Sequence, residues 1–488
     1  MQDLVHGPLA HWARVRAEDP ALDDGSTCLS FGQLHEAVTR GAQAVAQTQA
    51  PATVWVNDGL STLQQVVDFL AIIASGRCAA VSNPDWPLAT RQRVEHNING
   101  QASPSKVEPN ALSATLNAES PFYIGFTSGS TGMPKGFQRH HRSWTESFQV
   151  CVDTFGAAAQ TRVFAPGRVS HSLFLFGMLL GLWTGAGVVV QQRFSAARAL
   201  DTLRLGRTPC LVAVPSQLVM MLELAARRAL PPITGLRLLL ISGARWMRER
   251  TPELHALFPK AQVVEFYGAS ETSFIAWMNA NEEAPAQAVG RPFQGVELDI
   301  RQASGSDTPH NAGLIYVRSP MLFMDYVGAQ HDTTSALRDG DWLSVRDMGY
   351  IDDQGYLCLV GRENRMLVTQ GKNLFPEEVE AALCGTGLIA DASVHGVPDP
   401  RRGQLVVAVV KPKPTSSDPH QAWPSACALA SSCREALEHF KVPKRYFTCD
   451  SWPLTASGKT DHQALGRMLS QHMNQAQHTT TPCLHPLS

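Results

Sequence analysis

The sequence predicts an α/β protein of more than one domain. Three observations predict it. The chain of 488 residues is long enough for two or three domains with large cores. Helical and strand-like patterns alternate along most of it. Several strands, such as LRLLLISGA (236–244) and VVEFYGASET (263–272), end in small or polar residues, which is where open α/β sheets bind ligands.

Taken in order, residues 29–46 open with an apolar Leu-x-Phe and continue at helical spacing. Residues 54–56 form a short strand, 60–75 an apolar helix, and 79–81 a strand ending in the turn residues Asn83 and Pro84. FYIGF (122–126) reads as a buried strand, and the basic HHRSW (140–144) leads into a helix. Residues 171–190 carry no acidic side chain, Lys or Arg, a length that would span a bilayer. Four glycines interrupt this stretch and VVV closes it, so a buried helix, turn and strand are expected instead, with no membrane span.

Charged residues make up 17% of the chain, apolar residues 44%, and the net charge is −2. A strongly basic face is not implied, so a nucleic-acid partner has no electrostatic support. The ten cysteines are scattered without C-x-x-C or zinc spacing, as reduced thiols of a cytoplasmic protein would be. The N-terminus carries charges from Asp3 onward and lacks the apolar core of a signal peptide.

The most informative stretch is TSGSTGMPKG (127–136), in which Gly, Ser and Thr make up seven of ten residues. Glycines let backbone N–H groups approach a ligand closely, and hydroxyls add donors suited to phosphate oxygens. Lys135 brings a mobile point charge for terminal phosphates. A solvated Ser/Gly linker would share this composition, but not the preceding FYIGF or the single placed lysine. The loop is neither a Walker A motif nor a nucleophile elbow. It closely resembles the signature loop of adenylate-forming enzymes, a family of acyl- and aryl-CoA synthetases, peptide-synthetase adenylation domains and firefly luciferase. The resemblance implies that Thr127, Ser128, Gly129, Ser130, Thr131, Gly132 and Lys135 bind the phosphates of ATP, with Thr131 also near Mg2+.

Three further motifs follow in the family's order. In YGASET (267–272) an aromatic followed by Gly can lay a ring against a flat base, and a Ser-Glu pair presents oxygens to a hard cation. Standing alone, this would equally be a strand end followed by a helix capped by Ser270. The resemblance places Tyr267, Gly268 and Ser270 on the nucleotide, Glu271 on Mg2+ near the α-phosphate, and Gly243 and Ala244 beside the adenine. Next, Asp347 precedes a hairpin turned at Asp352-Asp353-Gln354-Gly355, and Arg362 follows the second strand. The resemblance puts both on the ribose. Lys459, in PLTASGK, matches the family's C-terminal catalytic lysine, whose mobile donors follow charge as it shifts between oxygens.

Two departures stand out. The family has Thr-Gly before the ribose Asp, where this chain has Val345-Arg346. The hinge position, usually Asp or Lys, is Asn364, which tolerates unusual dihedrals. Gly371 matches the glycine beside the thiol tunnel, and His171 the aromatic residue gating the acyl pocket in CoA ligases. The alternative reading of His171 is a helix-capping or core histidine.

The resemblance implies a large multi-subdomain N-terminal α/β domain (1–363) and a small mobile α+β C-terminal domain (364–470). Residues 411–426 form a loop inserted in the latter, and the polar tail 471–488 is expected to be disordered. The implied activity is ATP- and Mg2+-dependent activation of a small-molecule carboxylic acid as acyl-adenylate, followed by transfer to coenzyme A. The alternatives are a ligase loading a carrier-protein phosphopantetheine and a silent adenylate-binding protein. Peptide-synthetase domains hold the substrate ammonium with an Asp after the phosphate loop. Residues 162–191 contain no Asp or Glu, so an α-amino acid is not expected.

Overall fold

The computed structural model describes residues 3–48, 50–101, 116–128, 133–302, 311–328, 334–370, 372–413, 424–455, 459–474 and 484–487. These fall into two compact units. The first comprises Met1–Leu298, Val317–Val345 and Gly355–Leu357, the second Asp299–Tyr316, Arg346–Gln354 and Cys358–Ser488.

The first unit contains a doubly wound sheet. Its strands run, side by side, Ala288–Pro292, Ser273–Asn279, Gln262–Ala269, Leu238–Ile241, Cys210–Ala213, Val163–Ala165, Val188–Val190, Pro20–Asp23 and Cys28–Ser30. From Gln262–Ala269 to Pro20–Asp23 neighbours are parallel, and the outer strands are antiparallel. The central strands are wholly buried runs such as Leu238–Ile241, the pattern a sheet covered on both faces requires. Phe164, Leu211 and Leu239 pack against Leu218, Met221 and Leu254 from helices on one face. The alternating residues Ala165 and Val212 face Gly177 of the helix Ser172–Trp183 on the other.

That helix, a turn through Gly185 and Gly187, and the strand Val188–Val190 are the buried helix, turn and strand expected for 171–190. Among the described residues no helix is long and apolar enough to cross a membrane. A second sheet in the same unit runs Asp325–Val327, Pro134–His140, Pro121–Ser128, Cys78–Ala80 and Thr53–Trp55. The helices Phe31–Gln47 and Thr62–Ala74 each begin with a capping box, Ser30 with Gln33 and Ser61 with Gln64. Each such cap is worth ~1 kcal/mol, which explains why the helices start there.

In the second unit the long hairpin Ile389–Asp399 with Gly403–Pro412 is extended by Arg445–Cys449 in parallel and Leu484–Pro486 antiparallel. Val406, Ala408 and Val410 bury against the helices Pro376–Gly385 and Ala426–Ala436. Val407 and Val409 bury against His462–Asn474. Period-two alternation therefore builds a three-layer α/β/α unit. The expected disorder of the tail from 471 needs correction. Residues 471–474 complete the last helix, and Leu484–Pro486 pair as an edge strand anchored by Leu484, 1% exposed. Pro486 is tolerated there because an edge strand leaves one row of N–H groups unpaired. Most of the inserted loop, residues 414–423, lies outside the described residues.

Candidate nucleotide and acid-activating site

Both ends of the phosphate-loop sequence lie in paired antiparallel strands. Its entry strand Pro121–Ser128 is longer than FYIGF, and its exit strand Pro134–His140 replaces the loop expected around Lys135. Thr127 pairs with Lys135 and Ser128 with Pro134. The reason is cross-strand: Pro134–His140 is held on its far side by Asp325–Val327, so pairing continues as far as Ser128 and Pro134. Gly129, Ser130, Thr131 and Gly132 lie outside the described residues.

Lys135 Nζ stands 3.4 Å from the centre of the Tyr326 ring, a cation–π contact. The Tyr326 hydroxyl donates to Glu271 Oε1 at 2.6 Å. Glu271 is 8% exposed, and its C=O accepts from the Phe323 N–H at 2.8 Å. The hairpin lysine and the YGASET glutamate, 136 positions apart, are thus joined through one tyrosine. Neither Tyr326 nor the buried Arg139 beneath this assembly stood out in the sequence. The signal was there for Arg139, a charge that shares the alternation of Phe137 in a strand-like run. Burial lowers the Arg139 pKa to about 9, with the Glu271 carboxylate and Tyr123 opposing the drop.

YGASET does not lead into a helix capped by Ser270. The strand Gln262–Ala269 turns back directly as Ser273–Asn279, with a bulge between Tyr267 and Gly268. A Cβ on Gly268 would lie 1.9 Å from the Ser273 carbonyl oxygen, so only glycine fits this close approach. Ser273 itself has φ +57°. Tyr267 is half-buried at the C-terminal end of its strand, beside the end of Leu238–Ile241. Ser242, Gly243 and Ala244 follow that neighbouring strand, with Gly243 at φ +88° and Ser242 Oγ donating to the Phe266 carbonyl at 3.0 Å. The nucleotide-facing residues expected from the sequence therefore cluster at the C-terminal ends of adjacent parallel strands. His171 immediately precedes the helix Ser172–Trp183, makes no side-chain cap to it, and packs its ring against Phe174 at 5.1 Å.

The second unit carries the other predicted residues. Asp347 is 6% exposed and accepts from Arg362 Nε at 3.0 Å. Arg346 occupies the position where the family has Gly, and the backbone stays left-handed there, φ +64°. That conformation costs a non-glycine residue ~1 kcal/mol. It is braced by Arg346 Nη1 on Glu363 Oε2 at 2.9 Å and by the Glu363 N–H donating to the Arg346 carbonyl at 3.0 Å.

Asn364 sits in the single 3-10 turn Glu363–Arg365, and Arg365 ion-pairs with Glu377 and Glu380. Gly371 lies outside the described residues; on either side of it Thr369 pairs with Lys372, and Gln370 has φ +56°. Lys459 is exposed at the stem of its loop, where its N–H donates to Thr455 Oγ1 and Leu454 bridges Thr460. Thr460 Oγ1 donates to Asp391 and accepts from Trp452 Nε1 at 3.0 Å. Although Lys459 keeps exposed surface, the protein around it withholds part of its hydration, and this, then the Arg362 guanidinium, holds its pKa below the usual lysine range, while the Asp347 carboxylate pulls it up. Asp347, Arg362 and Lys459, spread over 113 positions, are therefore electrostatic neighbours within one unit.

One assembly joins a lysine, a tyrosine and a buried carboxylate, and the other a carboxylate, a guanidinium and a lysine of lowered basicity. These groupings and the doubly wound sheet are what an adenylate-forming enzyme would need. The family descriptions agree, with AMP-binding enzyme over residues 89–327 and AMP-binding enzyme C-terminal domain over residues 378–459. The chain belongs to the AMP-binding enzyme family, and within it to the AMP-forming acid–thiol ligases.

It is 36% identical over 360 residues to the uncharacterized acyl–CoA ligase YhfT of Bacillus subtilis (strain 168), 73% of this chain and 70% of that one. It is 28% identical over 379 residues to the chloroplastic/peroxisomal 2-succinylbenzoate–CoA ligase of Arabidopsis thaliana, 72% of this chain and 67% of that protein. Its fold matches O-succinylbenzoate coenzyme A synthetase (MenE) of Bacillus subtilis in complex with AMP. That match has a TM-score of 0.77 at 22% identity, over 94% of this chain and 97% of the other.

Proposed function

We propose that the protein activates a carboxylic acid with ATP as an acyl-adenylate, releasing pyrophosphate, and transfers the acyl group to coenzyme A, releasing AMP. The observation that carries this reading is the grouping of Asp347, Arg362 and Lys459. The carboxylate suits two ribose hydroxyls, and Arg362 holds it in place. Lys459 supplies a cation where the substrate carboxylate meets the α-phosphate.

Lys135 neutralises the outgoing phosphates. The first step brings anions together, and losing one preorganised donor of this kind costs ~3–4 kcal/mol of barrier. Magnesium fits Glu271, because the ion takes one or two carboxylates plus substrate phosphates and Glu271 is a carboxylate only 8% exposed. When bound, it would draw charge from the phosphate oxygens. Tyr326 keeps one Glu271 oxygen oriented, and Tyr267 offers its ring to the adenine.

Transfer then uses a second orientation of residues 364–470, pivoting at Asn364, with Gly371 beside the thiol path and His171 at the acyl pocket. The acyl group meets an apolar wall, the helix Ser172–Trp183, from a stretch without a single carboxylate, which supports an uncharged fatty or aryl group. Relatives named for long-chain fatty acids fit this kind, whereas 2-succinylbenzoate, for which another is named, is a dicarboxylate whose acyl group keeps one charge. The protein works in the cytoplasm, in keeping with its nine free thiols among the described residues. Pyrophosphate exchange into ATP across a panel of fatty, aryl and amino acids tests the reading. Acid-dependent exchange is expected, with amino acids inactive, and thioester formation with coenzyme A is expected to exceed that with a holo-carrier protein. No exchange with any acid would leave only an adenylate-binding protein.

A further inference from the structure

Arg139 lies four residues after Lys135, in the strand Pro134–His140, with 1% of its surface exposed. Arginines are almost never buried so fully unless paired with an acid. Its hydrogen-bond partners among the described residues are all neutral. Nη1 donates to the Ser270 carbonyl at 2.7 Å, and Nη2 to the Met321 carbonyl at 2.6 Å and to Ser273 Oγ at 2.5 Å. Nε donates to Ser143 Oγ at 3.2 Å.

These acceptors bracket one residue. Ser270 precedes Glu271, Ser273 follows it by two, and Met321 lies two before Phe323, whose N–H holds the Glu271 carbonyl. One planar, rigid group thus ties together both flanks of Glu271 and the segment bonded to its backbone. A lysine, being a point charge on a flexible stem, cannot satisfy acceptors in three directions at fixed geometry.

We propose that Arg139 is a positioning residue for Glu271, fixing its backbone from behind so that its carboxylate meets nucleotide-borne magnesium in one geometry. This rests on the reading of Glu271 as the magnesium ligand. Outer-shell partners of a metal ligand typically account for 10- to 100-fold in metal affinity. The test is calorimetric ATP binding at graded Mg2+, with melting temperature recorded for each variant. Arg139→Lys should raise the magnesium concentration at half-maximal binding by about 10-fold. Glu271→Gln should raise it as well, and the double variant should add nothing to Glu271→Gln alone.

An Arg139→Lys protein with reduced stability but an unchanged magnesium midpoint would overturn the proposal, leaving a purely structural arginine. A midpoint unchanged in Glu271→Gln would instead remove Glu271 from the metal, a separate failure visible in the same data. Should Arg139→Lys not fold, Ser273→Ala removes one acceptor only. It should shift the midpoint in the same direction by less, and no shift would again overturn the proposal.

Discussion

The Lys135 ammonium rests 3.4 Å from the centre of the Tyr326 ring, while the hydroxyl of that ring holds Glu271 Oε1. The tyrosine serves two charged residues at once, by its face and by its edge. The two contacts are separable by substitution. Tyr326→Phe keeps the ring under Lys135 but leaves the buried Glu271 oxygen without this donor, a loss of ~1–3 kcal/mol. Urea denaturation should show that loss, with the KM for ATP at saturating Mg2+ little changed. Tyr326→Leu should add a rise in the KM for ATP, because the ring's attraction for the ammonium is gone. Identical KM values in the two variants would mean that the ring does not place Lys135.

Lys459 is expected to act in only one half-reaction. Lys459→Ala should slow adenylate formation by ~10²–10³ and largely spare thioester formation from pre-made acyl-adenylate. Its pKa lies below the usual lysine range, so the ammonium is lost as pH rises through that lowered value. Adenylation should therefore fall on the alkaline side, and Lys459→Arg should move that limb upward. Equal losses in both half-reactions, or an alkaline limb unmoved by arginine, would count against this role.

Asn364 stands at the second position of its 3-10 turn, and Arg365 is fixed by Glu377 and Glu380. Proline fits early positions of a helical turn but freezes φ near −65° and restricts the residue before it. Asn364→Pro should leave pyrophosphate exchange within several-fold of wild type and strongly slow thioester formation. Wild-type thiolation would mean that the chain does not pivot at residue 364.

Acid should destabilise the N-terminal anchor. His141 Nδ1 accepts the Val5 N–H at 3.1 Å, and its ring stacks on Phe122. Burial lowers the His141 pKa to about 3 and that of neighbouring His6 to about 4, against 6.5 for a free histidine. Between these values the unfolded chain binds more protons, so stability rises with pH in that window. It should be complete above pH ~6.5 and decline as pH falls toward 4. His141→Gln, which keeps an acceptor without titrating, should flatten the slope. An unchanged pH profile of the urea midpoint in that variant would place the acid sensitivity elsewhere.

Much of this architecture was legible in local pattern. LLLI and VVEF are buried strands because helices cover both faces of their sheet, and the small or polar residues after them are where a ligand side was expected. Apolar spacing over residues 29–46 and 60–75 located two helices, which the structure shows capped by Ser30 and Ser61. What sequence missed depends on partners remote in the chain. The continuation of Pro134–His140 as a strand follows from pairing with Asp325–Val327, nearly 200 positions on. Tyr326 and Arg139 have no local motif, and their meaning comes only from the Glu271 they approach. Leu484–Pro486 looked like tail because three residues have no periodicity, yet one buried leucine holds them. Arg346 showed the reverse case, an altered residue over a retained left-handed backbone.

The most direct measurement uses the acid selected by the exchange panel, labelled with oxygen-18 in its carboxylate. Attack of that carboxylate on the α-phosphorus leaves one labelled oxygen on phosphorus when the thiol displaces AMP. The account predicts one oxygen-18 in the AMP released during thioester formation, and none in pyrophosphate. Unlabelled AMP, or label in a terminal phosphate, would contradict it.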